Sequence, residues 1–277
     1  MCRYIALPVE RSGASHGTPS VASMRLGIVA DVHGNAEALR AVMADAEPLD
    51  VDSWWALGDL VLFGPRPVEV LELLASLPNV AFVGGNTDRY VVTGEQPAPH
   101  ATAADAAGDI DLVERYGAMA GAIGWTRGAL SQAGMLDVLR HLPSEQRAIL
   151  ADGSLLLGVH ASPGRDDGVG ISTRSSDDVL SKLLDCGAAV VVGGHTHDPT
   201  DRMIHGVRAL NPGSVGLPHR VGQASWMVID TEASAVRVQH REAPFDVDAV
   251  VRDLHSRGYP NASFVESVLT GRHLFSE

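Results

Sequence analysis

Five apolar runs in this 277-residue chain each end in side chains able to bind a metal ion. They are VADVHGN with Asp31 and His33, ALGDLV with Asp59, VGGNTD with Asn86 and Asp88, LGVHASP with His160, and VVGGHTHDP with His195 and His197. Each has an ordinary structural explanation when taken alone. Asp31 or Asn35 could cap the helix that AEALRAV suggests. Asp59 after Gly58 could simply turn the chain, and His160 could be a hydrogen-bonded core histidine. GGNTDRY, Gly84 to Tyr90, has the composition of a tight turn, because Asn, Asp and Gly all tolerate left-handed backbone. His195 and His197, two residues apart, suit one face of a strand or a tight loop and point more directly to ligation. Asp31, His33, Asp59, Asn86, His160, His195 and His197 together are hard to explain as five independent caps. Their mixture of carboxylate, imidazole and amide suits a pair of borderline cations such as Mn²⁺, Fe²⁺ or Zn²⁺, with Asp59 able to bridge them through its two oxygens. Two cations roughly 3.5–4 Å apart form a recurring clamp for phosphoryl hydrolysis, which activates water and neutralises phosphate charge.

For these residues to meet, the runs that carry them must be strands of open α/β sheets, where ligands bind beyond the carboxyl ends. From Arg25 onward the chain alternates β-rich runs with helical segments, as strands joined by crossover helices do. RLGIVAD is followed by NAEALRAVMADAEP, with Leu39, Val42 and Met43 at helical spacing, and SWWALGD precedes PVEVLELLASLP, opened by Pro67. VAFVGGN, SLLLGVH and AAVVVGGH read as further strands, as do RALNPGSV, ASWMVID and AVRVQHREA, and DDVLSKLLDCG reads as a helix. Residues 101–142 are Ala- and Gly-rich and predict two inserted helices, because Gly and Asp are too frequent there for one long helix. Trp125, Met119 and Tyr116 in that insertion are read as packing residues. The end of the chain, from Asp246, predicts a helix, a break at Gly258 to Pro260, and a second short helix.

A formal net charge of −13 argues against a broad basic surface for nucleic acid. A small phosphorylated ligand held through metal ions is compatible with it. No apolar run approaches the roughly 20 residues of a membrane span. Two cysteines, Cys2 and Cys186, can build neither a disulfide framework nor a Cys-rich zinc site, and predict a reducing cytoplasmic setting. Residues 1–23 lack periodicity and the apolar core of a secretory signal, and read as a tail before the domain that Met24 opens.

The ordered set DxH, GDxV, GNxD, an isolated His after a strand, and GHTH resembles the calcineurin-like metallophosphoesterases, over roughly Met24 to the chain end. DVHGN and NPGSVGLP further resemble the compact bacterial branch of YfcE-like phosphodiesterases. The resemblance implies an α/β fold, a four-layer αββα sandwich of two mixed β-sheets flanked by helices. It also implies two divalent cations, Mn²⁺ first and Fe, Zn or Ni as alternatives. One would be held by Asp31, His33, Asp59 and His197, the other by Asp59, Asn86, His160 and His195. Asp59, Asn86, Asp88 and His160 form the implied catalytic group, with Asn86 both turning the chain and ligating through its amide oxygen, and Asp88 orienting a neighbour. The implied reaction is hydrolysis of a phosphodiester, or of a phosphomonoester, by a metal-bridging hydroxide. Asn35 either supports the site or caps its helix, and with Thr87, Arg89 and His219 it is a candidate substrate contact.

One departure from the family pattern concerns the proton donor. Many members carry a His between the Asn and the acidic residue of the third block, where this chain has Thr87, whose hydroxyl cannot serve as an efficient general acid near neutral pH. Thr87 could instead hydrogen-bond the phosphate. His219, in GLPHR, is then the candidate to approach the leaving group, with Arg89 and Arg220 as candidate phosphate clamps. A protein phosphatase would be expected to keep the missing His, and a nucleotide-binding module would have no need of both metal sites. No GxSxG elbow suggests a nucleophilic serine. The resemblance allows a homo-oligomer without fixing a symmetry.

Overall fold

The computed structural model describes residues 24–272 apart from 99, 101, 103, 233 and 234. The expected tail, 1–23, lies outside the described residues. Among the described residues ten strands form two five-stranded mixed sheets. The first has the order β10-β9-β1-β2-β3, built from β1 (Met24–Val29), β2 (Ser53–Leu57), β3 (Val80–Val83), β9 (Gln223–Glu232) and β10 (Ala235–Pro244). In it β1, β2 and β3 run parallel, while β9 and β10 are antiparallel additions. The second has the order β4-β5-β6-β8-β7, from β4 (Glu145–Ile149), β5 (Leu155–Val159), β6 (Val190–Val192), β7 (Thr200–Ile204) and β8 (Val207–Asn211). There β5, β6 and β8 are parallel and the two edges antiparallel.

The strand period of two decides the layers. Leu26, Ile28, Trp55 and Leu57 of the first sheet meet Leu156, Val190, Val192 and Leu210 of the second in a core between the sheets. Their neighbours in sequence, Val29, Trp54 and Ala56, face the opposite way, onto helices. Leu157, Val159 and Val191 bury the outer face of the second sheet under the helix α7 (Asp177–Leu183). Trp54 and Trp55 point to opposite faces, and each lies against a glycine. A Cβ on Gly27 would fall 2.6 Å from Trp54 Cε3, and one on Gly158 2.6 Å from Trp55 Cε3. The helix side of the first sheet carries α1 (Ala36–Ala46), α2 (Pro67–Ala75), α3 (Asn86–Thr93), α5 (Ile110–Gln132), α6 (Leu136–Arg140), α8 (Val247–Ser256) and α9 (Ala262–Leu269), all contributing to one core cluster. A short α4 (Asp105–Gly108) precedes α5. Two mixed sheets flanked by helices are thus the arrangement expected from the sequence.

Two local expectations need correction, and two strands carry no signal in the sequence. The 101–142 segment contains one 23-residue helix, α5, running through Gly117, Gly121, Gly124 and Gly128. Each Gly costs roughly 1 kcal/mol in helix propensity, but Ala122, Ile123 and Leu130 join the core and outweigh it. Of the four Asp residues of the segment only Asp111 lies inside α5, and Asp109 caps it by accepting from Leu112 N. GGNTDRY is not a turn: Gly85, in extended conformation, starts α3, and Asn86 is its first residue. The edge strands β4 and β7, EQRAI and TDRMI, are too polar to have signalled themselves. Among the described residues no helix is long and apolar enough to cross a membrane.

Candidate metal centre

All seven candidate ligands lie directly beyond the ends of β1, β2, β3, β5 and β6, so the two sheets bring them to one end of the sandwich. Five of them adopt left-handed backbone, Asp31 (φ 54°), His33 (50°), Asp59 (54°), His195 (68°) and His197 (57°). Such positions cost roughly 1–3 kcal/mol each and collect at functional sites. Interlocked loops hold them there. Asp31 N donates to Gly58 O at 3.0 Å and His33 N to Asp59 O at 2.9 Å. The NPGSV stretch ties the remaining loops together. Gly216 N donates to Asp31 O at 2.9 Å, Ser214 Oγ donates to the same carbonyl at 2.8 Å, and Asn211 Nδ2 donates to Gly194 O at 2.8 Å.

The imidazoles are aimed by main-chain carbonyls, which can only accept. His33 Nδ1 meets Leu62 O at 3.0 Å, His160 Nδ1 meets Leu57 O at 2.8 Å, and His197 Nδ1 meets Leu217 O at 3.0 Å. These three rings therefore present Nε2 to the site. His195 is reversed: Nε2 donates to Gly168 O at 3.0 Å, leaving Nδ1 for the site. Asn86 Oδ1 lies 3.0 Å from His160 Nε2 and 3.1 Å from His195 Nδ1. In the neutral rings these are three acceptors with no donor among them, which suits a cation. On the other side His33 Nε2 and His197 Nε2 are 3.1 Å apart, and His197 Nε2 is 3.4 Å from Asp31 Oδ1. Asp59 faces both groups, with Oδ1 3.3 Å from His160 Nε2 and Oδ2 3.9 Å from His33 Nε2. Ligand atoms of Asp31, His33 and His197 lie within 4.8 Å of one another, as do those of Asp31, Asp59 and His160, and all are buried. The donor set therefore fits divalent metal.

Charge is unevenly held among these side chains. Burial raises the Asp31 carboxyl, but His197, His160 and His33 outweigh it and bring it to about 2. Burial and the negative charge of Asp31 push Asp59 up to about 7. Burial and His197 lower His33 to about 3. His197 moves the other way: burial disfavours its charge, yet Asp31 and Asp59 raise its pKa, so it tends to keep a proton where a cation would otherwise sit. Burial and then His160 lower His195.

The other predicted site residues divide. Thr87 N donates to Asp59 Oδ1 at 2.9 Å, and its buried hydroxyl lies beside the same carboxylate without a well-formed hydrogen bond among the described residues. Asp88 accepts from Leu60 N at 2.9 Å and Gly85 N at 3.0 Å, fixing the loops of Asp59 and Asn86 to each other. Asn35 is not placed as a substrate contact: its Oδ1 caps α1 through Ala38 N at 3.0 Å and its Nδ2 donates to Gly216 O at 3.0 Å. Arg89 is no open clamp, being paired with Asp166, Asp167 and Glu95, and Arg220 is paired with Glu242. His219 is exposed, and burial of part of its ring together with the nearby His197 lowers its pKa. Sequence reasoning missed Gly168, whose carbonyl sets the His195 tautomer, since no residue type signals a main-chain acceptor.

Residues 24–234 match the calcineurin-like phosphoesterase superfamily domain. An uncharacterized protein of Methanocaldococcus jannaschii is 27% identical over 231 residues, which cover 77% of this chain and 85% of that one. The crystal structure of a metallophosphoesterase from Sphaerobacter thermophilus superposes with a TM-score of 0.66 at 26% identity, over 89% of this chain and 98% of that one. A hypothetical protein from Pyrococcus horikoshii shares the fold, with a TM-score of 0.72 at 21% identity over 88% and 97% of the two chains. The match runs from the first strand of the sandwich through every loop that contributes a candidate ligand, and this chain belongs to the calcineurin-like phosphoesterase superfamily.

Proposed function

We propose that the protein is a two-cation phosphodiesterase, with Mn²⁺ the preferred ion. One ion would be held by Asp31, His33, Asp59 and His197, and the other by Asp59, Asn86, His160 and His195. The observation that carries this reading is the donor-free convergence of Asn86 Oδ1, His160 Nε2 and His195 Nδ1 beside the Asp31, His33 and His197 group. Bound divalent ions supply Lewis acidity, withdrawing charge from the phosphate and lowering the pKa of water.

The residues of the chain do the rest. Asp59, fixed through Oδ1 by Thr87 N, offers one oxygen to each side of the site. The Thr87 hydroxyl is enclosed beside Asp59, so contact with a phosphate oxygen would require its side chain to turn outward. With threonine in that place the side chain supplies no efficient proton to the leaving oxygen. Esters with acidic leaving groups are therefore the better substrates, and His219 is the exposed group available to assist poorer ones.

The test is hydrolysis of bis-p-nitrophenyl phosphate and p-nitrophenyl phosphate by protein stripped of metal and then given Mn²⁺. Diester cleavage should appear only with the ion and should disappear in Asn86→Ala. Cleavage that survives chelation, or an Asn86→Ala variant as active as the parent, would refute the reading.

A further inference from the structure

We infer that Arg89 is the positioning residue for His195, through the loop that carries Gly168; the inference rests on the two-cation reading above. Arg89 and Asn86 stand three residues apart on α3, one helical turn, so they share a face. Arg89 Nε donates to Asp166 Oδ2 at 2.7 Å, and its NH2 group donates to Asp166 Oδ1 at 3.2 Å and Asp167 Oδ2 at 3.2 Å. Its remaining nitrogen, NH1, pairs with Glu95.

The loop so gripped starts at a tight turn, where Ser162 and Arg165 exchange main-chain hydrogen bonds of 3.2 and 2.9 Å. It then reaches Gly168 at φ +87°, a conformation that side chains rarely adopt. The carbonyl of that glycine takes the Nε2 proton of His195, whose Nδ1 faces Asn86. The two nitrogens of the ring thus both trace back to α3: Asn86 Oδ1 stands beside Nδ1, where a cation could join the two acceptors, and Nε2 is reached indirectly through Arg89, Asp166, Asp167 and Gly168. His195 is the one candidate imidazole that presents Nδ1, and Gly168 O fixes that choice as the carbonyls of Leu62, Leu57 and Leu217 fix Nε2 in the other three rings.

The ion pairs are about a third or more exposed, and pairs of that kind contribute little to global stability. Their consequence is local. Without the Arg89 guanidinium the loop loses its tether to α3, Asp167 keeping only a longer contact to Arg165 at 3.8 Å, and the Gly168 carbonyl is no longer held against His195.

The experiment compares the parent with Arg89→Met, Arg89→Lys and the double variant Asp166→Asn/Asp167→Asn. In metal-free protein, ¹⁵N spectra of the histidine rings report the His195 Nε2 proton. In titration with Mn²⁺, calorimetry reports each ion. The Met variant and the double Asn variant should both lose the ordered His195 Nε2–H signal and weaken one of the two ions about 10- to 100-fold, as outer ligand partners do. The other ion should bind as in the parent, Lys should restore part of the loss, and combining Met with the Asn pair should add nothing. An unchanged His195 ring signal in Arg89→Met overturns the assignment of Arg89. Failure of the parent to bind a second ion would overturn the two-cation reading instead, and the metal-free ring spectra would still decide the role of Arg89.

Discussion

Gly85 stands where any side chain would strike Asp59: a Cβ there would lie 2.2 Å from Asp59 Oδ1 and 2.3 Å from Asp59 N. The second atom is backbone, so a rotamer change cannot relieve the clash. Gly58 and Gly194 are similarly confined, with Cβ positions 2.5 Å from His160 Nδ1 and 2.6 Å from Asp31 Oδ2. Glycines in these places let carboxylates and imidazoles from separate strands approach closely. Gly85→Ala should therefore lose metal and also lose stability, by about 1–3 kcal/mol or more for overpacking. Metal analysis and urea denaturation check it; an alanine variant that melts and loads like the parent would show that the Asp59 loop has room to move.

Asp88 joins the same two loops from beneath, since Leu60 and Gly85, whose N–H groups it accepts, adjoin Asp59 and Asn86. Asp88→Ala leaves both N–H groups buried and unpaired, at about 1–3 kcal/mol each. Asp88→Asn keeps one acceptor and should cost about half as much. Urea denaturation of metal-free protein isolates this effect from metal affinity, and equal stability of Ala and Asn would count against it.

The ligand loops were legible in the sequence because polar residues interrupting apolar runs are conspicuous, and the resemblance supplied their grouping. The helix α3 was not, because GGNTDRY offers turn residues and its helical character comes from packing and from Asp88 binding Gly85 N. The engagement of Arg89 was equally hidden: its partners Asp166 and Asp167 lie 77 and 78 residues away, in a loop without hydrophobic pattern. The sequence leaves Asn35 two roles that the fold unites, since one amide caps α1 and also ties Gly216. Glycine confinement at Gly85 depends on an approach between two strands that no local pattern encodes.

Thr87 gives a prediction with opposite signs for stability and activity. Its hydroxyl is buried without a well-formed hydrogen bond, so Thr87→Val, similar in shape, removes a poorly satisfied polar group and should leave stability unchanged or slightly higher. If the hydroxyl binds phosphate, turnover of the diester should fall by about tenfold, the worth of roughly one hydrogen bond at 1.4 kcal/mol. Thermal melting and steady-state kinetics on the same preparation check both, and unaltered kinetics would remove Thr87 from the substrate.

Metal affinity should rise with pH until just above 7. In the metal-free site Asp31, at about 2, and His33, at about 3, are already in their ligating forms near neutrality. Asp59, raised to about 7, is not. The sign follows from the raised acid. Folded metal-free protein holds a proton on Asp59 that the unfolded chain gives up at an ordinary carboxyl pKa, so the contribution of Asp59 to stability falls as pH rises from about 4 to about 7. A cation that replaces that proton restores the loss. Binding at pH 6 must then expel a proton from Asp59, and His197, whose pKa Asp31 raises against the effect of burial, adds to the release. Calorimetric titration with Mn²⁺ in two buffers of unlike ionisation enthalpy should give buffer-dependent heats at pH 6 that shrink by pH 8. Below pH 7 the apparent affinity should gain about tenfold per pH unit for each proton released. Equal affinity and buffer-independent heat at both pH values would mean that Asp59 is already ionised in the metal-free site, and that Asp31 and burial do not hold its proton.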